Sequence, residues 1–131
     1  MPITVTIKDE SGSGRVAAQM TIDDIAERIT LRDLVRTRVR EEVARYNARQ
    51  GEYFQGLVMP DGAAPTAQGF RMAGRRRIDW ERQAGLAVRA FQRNGFFVLV
   101  GGRQVTELDE ELALTADTDI RFLRLVQLVG G

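Results

Sequence analysis

The sequence predicts an α+β fold, with a mixed sheet of four to five strands and one long helix. Three observations predict it. Apolar and polar residues alternate near the start of the chain, a following stretch has helical spacing, and the last third holds short apolar runs separated by turn residues. The chain has 131 residues, which is the usual size of one domain, so we expect a single domain with at most one insertion.

The first predicted element is a β-hairpin. Ile3, Val5 and Ile7 alternate with polar residues, the period of a strand that buries one face, which predicts a strand over 3–9. The Ser-Gly-Ser-Gly run at 11–14 supplies turn residues, and an extended pattern resumes over 16–22.

A long helix is predicted next, from about residue 31 to Arg49. Thr30 is a suitable N-cap, and Gly51 follows the helix end. Arginines 36, 38 and 40 are expected to lie on the solvated side, together with Glu41 and Glu42. The buried side is expected to hold the apolar residues at steps of three and four, which are Leu31, Leu34, Val35, Val39, Val43 and Tyr46.

The middle of the chain is less regular. Residues 51–78 show no sustained period and contain two turn signals, at 60–62 and 64–66, which indicates a long connection or an insertion. A second helix is predicted over about 80–93, capped by Asp79 and ended by Asn94-Gly95.

The last third predicts a second hairpin and a final strand. The run Phe96–Val100, the glycine pair at 101–102 and the segment Arg103–Leu108 have the pattern of a hairpin. After an acidic turn at 109–111, Ile120–Val129 is apolar on both faces, which is typical of a central strand, so we expect it between the two hairpins.

Composition excludes several classes of function. The chain has no Cys and no His, which excludes thiol chemistry, disulfides, zinc sites with the usual ligands and acid–base catalysis by histidine. The net charge of +1 argues against a protein that coats nucleic acid or an anionic membrane. No signal peptide or apolar span is evident, and we expect a cytoplasmic protein without cofactor, metal site or catalytic residues of its own.

The C-terminal third resembles ubiquitin. The segment 97–105 (FVLVGGRQV), the acidic turn with Leu112, and the segment 120–131 (IRFLRLVQLVGG) resemble its C-terminal half, and the first hairpin and helix are similar in order to its first half. The resemblance covers 3–49 and 96–131. It implies a ubiquitin-like β-grasp fold over 1–131, with an insertion at about 50–95.

The resemblance also implies a function for the last residues, that of a bacterial ubiquitin-like modifier. In this family a tail that ends in two glycines, here Gly130 and Gly131, enters an activating enzyme. Gly131 would be adenylated and transferred, with a conjugating enzyme, to an amine of a target protein. The residues before the glycines, and the sheet positions where the family exposes an apolar patch, are then expected to contact partners: Leu99, Leu123, Leu125, Gln127, Leu128 and Val129.

Alternatives to protein conjugation remain open. The chain could be a non-conjugated adaptor that offers a sheet face or a strand edge to a partner, or a sulfur carrier. The second helix, through Trp80, Val88 and Phe91, could cover the face that holds Leu99. The arginines between 71 and 93 favour pairing within the fold or contact with a protein over nucleic-acid binding. Lys8, the only lysine among nineteen basic residues, would limit self-conjugation.

Overall fold

The structure is a computed structural model, and it describes residues 1–11, 15–74 and 76–124. Within these ranges the chain forms ten strands and two helices. In chain order they are β1 (Ile3–Glu10), β2 (Val16–Ile25), β3 (Arg28–Thr30), α1 (Leu31–Arg49), β4 (Tyr53–Phe54), β5 (Ala64–Thr66), β6 (Gly69–Arg71), α2 (Trp80–Gln92), β7 (Phe96–Val100), β8 (Arg103–Val105), β9 (Glu111–Ala113) and β10 (Ile120–Arg124).

The chain divides into two compact units. The first unit comprises Met1–Asp33 and Phe91–Gly131, and the second comprises Leu34–Ala90. The predicted α+β class, with a mixed five-stranded sheet and two helices, is confirmed. A single domain with an insertion at about 50–95 stays a prediction.

The five-stranded sheet belongs to the first unit and has the strand order β2-β1-β10-β7-β8. Strands β1 and β10 are parallel, with Ile7 opposite Ile120, and the other neighbours are antiparallel. Strand β10 therefore lies between the two hairpins, which confirms the position that its apolar pattern predicts.

One face of this sheet is buried. Strand β1 contributes Val5 and Ile7 to it, and β10 contributes Ile120 and Phe122, all of them at most 1% exposed. Aromatic rings extend this core beyond the sheet. The ring of Phe96 stacks on that of Phe122 with centroids 5.7 Å apart, and the ring of Phe91 lies 5.7 Å from Phe96.

The second hairpin turns at the predicted glycine pair. Gly101 and Gly102 have φ values of 59° and 80°, and two successive positive values suit a two-residue turn that matches the twist of its strands. Strand β8 ends at Val105, earlier than the predicted Leu108, because the chain turns where the amide of Glu110 donates to the carbonyl of Glu107 at 3.2 Å.

That turn is joined to the start of α1. The Oγ1 of Thr30 accepts from the amide of Asp33 at 3.1 Å, which confirms the predicted N-cap. The amides of Leu31 and Arg32 donate to the carbonyls of Glu110 and Leu108 at 3.0 and 2.9 Å, so the turn takes up donors that the helix itself leaves free. Beside it, β3 and β9 form a two-stranded sheet that the sequence analysis does not predict.

The expected solvated side of α1 is wrong at Arg38 and Glu42. Both are buried, with Arg38 2% exposed. The guanidinium of Arg38 donates to Oε2 of Glu42 at 3.2 Å, and Oε1 of Glu42 accepts from the amide of Leu57 at 3.2 Å. Burial is tolerated because each charge has a partner one helical turn away. The six predicted apolar positions of this helix are all buried, as expected.

The predicted long connection contains a three-stranded sheet of order β4-β6-β5. The turn at 60–62 is confirmed, because the amide of Ala63 donates to the carbonyl of Pro60 at 3.2 Å. The predicted turn at 64–66 is wrong, since these residues form β5. Pro65 is tolerated there because β5 is an edge strand. Strands of two or three residues are too short to show a period.

The second helix has the predicted ends. Oδ1 of Asp79 accepts from the amide of Glu81 at 3.1 Å, which makes Asp79 the N-cap. At the other end Asn94 has a φ of 61° and its amide donates to the carbonyl of Phe91 at 3.0 Å, a left-handed helix stop.

Replacing Gly85 with alanine in the middle of α2 is expected to raise the free energy of unfolding by about 0.5–1 kcal/mol. A Cβ at this position meets nothing nearer than a guanidinium nitrogen of Arg89 at 4.0 Å, so the alanine fits without a clash. Its main effect is to reduce the conformational entropy of the unfolded chain, which favours the folded state. Thermal unfolding measures the effect. Gly62→Ala is the control and should destabilise, because Gly62 has a φ of +78°. A lower melting temperature for Gly85→Ala contradicts the prediction.

Candidate functional site

The candidate site lies on the face of the five-stranded sheet opposite its core. Successive side chains of a strand point to opposite faces, so Phe97 and Leu99 of β7 share this face with Arg121 and Leu123 of β10. Leu99 is directly opposite Arg121, and Phe97 is directly opposite Leu123. Phe97, Leu99 and Leu123, which we call the apolar patch, are half-buried and keep part of their surface in solvent.

Two of the predicted partner-binding residues are thus brought together. Leu99 and Leu123 are diagonal neighbours on adjacent strands, a distance across which leucine side chains interact. The other predicted site residues lie outside the described part of the chain; they are Leu125, Gln127, Leu128, Val129, Gly130 and Gly131.

A row of alternating charges borders the apolar patch. The ammonium of Lys8 lies 3.6 Å from Oδ1 of Asp119, and Nε of Arg121 donates to Oδ2 of the same carboxylate at 2.8 Å. The guanidinium of Arg121 also donates, through Nη1, to Oε1 of Glu10. Lys8 and Arg121 are opposite each other on parallel strands, which places all four groups at one border. We call these four residues the charged row.

Within the charged row, electrostatics favour the ionised forms of Asp119 and Arg121. The hydrogen bond from Arg121 lowers the pKa of Asp119, and the positive charges of Arg121 and Lys8 lower it further. The hydrogen bonds to Asp119 and Glu10 raise the pKa of Arg121. Two positive and two negative charges cancel, so this border offers directional polar contacts without a strong net field.

Asp119→Asn is expected to lower the free energy of unfolding at neutral pH. The difference in this free energy between wild type and variant should become smaller in acid. A carboxylate whose pKa is lowered by folding stabilises the native state above its unfolded pKa of about 3.9, and this contribution is lost as the pH falls through the folded pKa. The measurement is urea unfolding of wild type and variant between pH 7 and pH 2.5. Asp117→Asn, in the same loop, is the control. A difference that does not shrink below pH 4 contradicts the assignment.

The second helix does not place Phe91 over the apolar patch. Phe91 contacts Phe96, whose side chain lies on the core face with Val98 and Phe122. The suggestion that Phe91 covers the face of Leu99 is therefore wrong. The reason is the register of β7, where Phe96 and Leu99 have opposite parity and point to opposite faces.

An open cleft of about 360 Å³ adjoins the apolar patch at Phe97. It runs along the edge strand β8, past Gln104 and Thr106, to the turn at 107–109. Its lining includes an ion pair, in which the guanidinium of Arg32 lies 3.3 Å from Oδ1 of Asp109. The cleft therefore places polar walls next to the apolar patch.

The arrangement has the composition of a protein-recognition surface. Aromatic and aliphatic side chains form its centre, and paired charges form its border, as in protein interfaces where a polar rim surrounds an apolar core.

Sequence reasoning missed Phe97 and the charged row as site residues. The period of two could have found Phe97 and Arg121, because both share parity with predicted residues of their own strand.

Comparison with known proteins gives no relative from which a function could be transferred. No protein-family model, curated protein or solved structure matches the chain significantly. Among the described residues, no helix is long and apolar enough to cross a bilayer. The same residues contain no group of three or more acidic side chains arranged to hold a metal ion.

Proposed function

We propose that the first unit is a ubiquitin-like β-grasp domain. The strand order supports this proposal. The first strand β1 and the last described strand β10 are parallel neighbours in the sheet. An antiparallel strand flanks each of them, β2 beside β1 and β7 beside β10, and a helix follows the first hairpin. This is the arrangement that the resemblance of residues 3–49 and 96–131 to ubiquitin implies.

The function that follows is that of a protein modifier. The carboxylate of Gly131 attacks the α-phosphorus of ATP in an activating enzyme and displaces pyrophosphate. An enzyme thiol then displaces AMP to give a thioester, and a lysine amine of the target displaces the thiol to give an isopeptide bond. The chain supplies the acyl group and no catalytic side chain. A tail without Cβ atoms suits this role because it fits a narrow channel.

The apolar patch gives the enzymes a surface to bind. Covering the part of Phe97, Leu99 and Leu123 that is still exposed removes apolar surface from water, which favours binding, and Arg121 beside them provides an oriented guanidinium. The charged row has no net formal charge, so it exerts little long-range attraction on a partner. Short-range contacts with its individual charges would instead set the orientation in which the partner binds.

The proposal is tested by incubating the chain with ATP and the adenylating enzyme encoded at the same locus. Intact mass spectrometry should detect an adenylate on the chain, and a thiol-sensitive adduct with the enzyme. A variant that lacks Gly131 should form neither, while Gly102→Ala, which alters the β7–β8 turn, should retain both. Absence of any adduct with the wild-type chain contradicts the proposal.

Two other functions make different predictions, one for partner binding and one for the adduct detected by mass spectrometry. A non-conjugated adaptor is favoured by the apolar patch, which forms a recognition surface without any need for the tail. It predicts partner binding that is unchanged by removal of Gly131 and lost on substitution of Leu99. A sulfur carrier predicts that the adenylate is converted to a thiocarboxylate, recognised by its mass, instead of to an isopeptide bond.

A further inference from the structure

The second unit has a charge balance unlike that of the chain as a whole. Residues 34–90 contain eleven arginines against six acidic residues, a formal charge of +5, whereas the whole chain carries +1. An excess of arginine concentrated in one compact unit raises the local concentration of anions. The second unit is therefore the part of the chain in which to look for an anionic ligand.

Two of these arginines are held against one aromatic ring. The guanidinium carbons of Arg36 and Arg40 each lie 5.3 Å from the centroid of the Trp80 ring, within the range of a cation–π interaction. Arg36 and Arg40 are one turn apart on α1 and so lie on the same face of the helix. The ring limits the freedom of both side chains, and because each guanidinium carbon is 5.3 Å from the same centroid, the two are at most twice that distance apart. We call these three residues the Arg–Trp cluster.

Hydrogen bonds fix Trp80 beside α1. The side chain of Asn47 accepts from the amide of Ile78 at 2.9 Å and donates to the carbonyl of Ile78 at 3.0 Å, which ties the residues before α2 to α1. Asp79 then caps the helix that begins at Trp80. One turn further, the side-chain amide of Gln83 donates to the carbonyl of Val58 at 2.8 Å. The ring position is thus built by the unit itself.

The two arginines of the cluster lack acidic partners. Among the described residues, no carboxylate lies within 4.0 Å of either guanidinium. Other arginines of this unit differ: Arg45, Arg71 and Arg82 are paired with Glu41, Glu52 and Asp61, respectively. The Arg–Trp cluster therefore presents two positive charges that have no salt-bridge partner in the described part of the chain.

We propose that the Arg–Trp cluster binds the phosphate group of a phosphomonoester. Two guanidinium forks supply donors in the planar geometry that phosphate oxygens accept, and their charge of +2 matches a dianion. Other anions match the cluster less well. A carboxylate can occupy only one guanidinium fork, and a phosphodiester carries a charge of only about −1. A phosphomonoester near neutral pH has a charge close to −2 and three free acceptor oxygens. The site lies within the second unit and does not depend on the proposed function of the first.

The first test uses the fluorescence of Trp80, which is the only tryptophan of the chain. Titration of the full chain with glucose 6-phosphate and with a short phosphoserine peptide should give a saturable change in emission. Dimethyl phosphate and the unphosphorylated peptide should bind at least tenfold more weakly. Tighter binding of the peptide identifies a phosphorylated protein as the source, and tighter binding of the sugar phosphate identifies a small metabolite. Binding of neither monoester, or binding of single-stranded RNA alone, overturns the proposal.

The second test uses variants, read by ³¹P NMR titration because the variants alter the fluorescence itself. Arg36→Ala and Arg40→Ala should each weaken monoester binding at least tenfold. Arg40→Lys should also weaken it, because an ammonium lacks the planar fork. Arg49→Ala is the matched control, an exposed arginine at the end of the same helix. The proposal is overturned if Arg49→Ala weakens binding as much as Arg36→Ala, or if neither cluster variant changes it.

Discussion

Arg38→Met is expected to lower the free energy of unfolding by about 3–5 kcal/mol, the largest effect of any single substitution considered for this chain. The substitution keeps much of the side-chain volume and removes the guanidinium that donates to Oε2 of Glu42 at 3.2 Å. Glu42 is 8% exposed, so its carboxylate loses the hydrogen bonds from Arg38 without gaining water in their place. Urea unfolding followed by Trp80 fluorescence measures the change within the same unit.

The control for Arg38→Met is Arg45→Met in the same helix. Arg45 forms an exposed ion pair with Glu41 at 3.4 Å, a kind that contributes about 0.3–0.5 kcal/mol. The double substitution Arg38→Met, Glu42→Leu should recover part of the loss, because an apolar pair of similar volume removes this buried ion pair, although the amide of Leu57 then loses its acceptor. Equal costs for Arg38→Met and Arg45→Met would show that the buried pair is not a stability determinant.

Leu99→Ser is expected to reduce kcat/KM for adenylation of the chain about 30-fold, which corresponds to about 2 kcal/mol of binding energy at the centre of an interface. The apolar patch loses one of its three side chains, while Phe97 and Leu123, which are directly opposite each other, remain. The effect should fall on KM, since Leu99 does not take part in the chemistry at Gly131. Initial rates of pyrophosphate release with the activating enzyme measure it.

Gln19→Ser is the matched control for Leu99→Ser. Gln19 is exposed on the same sheet face, opposite Lys8 on strand β2, and it lies outside the apolar patch. Thermal unfolding of both variants separates a loss of recognition from a loss of folding. Adenylation of the Leu99→Ser variant at the wild-type rate contradicts the assignment of this face to partner binding.

The sequence predicts regular elements well where they are long or capped. The alternation of Ile3, Val5 and Ile7 and the capping residues Thr30 and Asp79 identify β1 and the starts of α1 and α2, because these signals are local in the chain. The glycine pair at 101–102 locates the second hairpin for the same reason, since its conformation suits few other residues.

The sequence fails where a distant partner decides the structure. Arg38 and Glu42 are predicted to be solvated because local periodicity does not reveal the chain that buries them, such as the segment at Leu57, whose amide donates to Glu42. The sheet formed by β4, β5 and β6 is missed because each strand has only two or three residues. At the candidate site, local alternation indicates that Leu99 and Leu123 are strand residues. The charged row could not be predicted, because it depends on the register between β1 and β10, which places Lys8 opposite Arg121.

Intact-mass and peptide mass spectrometry of the protein from its native cell tests the central claim most directly. The account predicts a species in which this chain is joined, with loss of one water, to a lysine of another protein through the carboxylate of Gly131. Digestion should yield a branched peptide that carries residues up to Gly131 on that lysine. Recovery of the chain solely in unmodified form, or with further residues after Gly131, would contradict the modifier function.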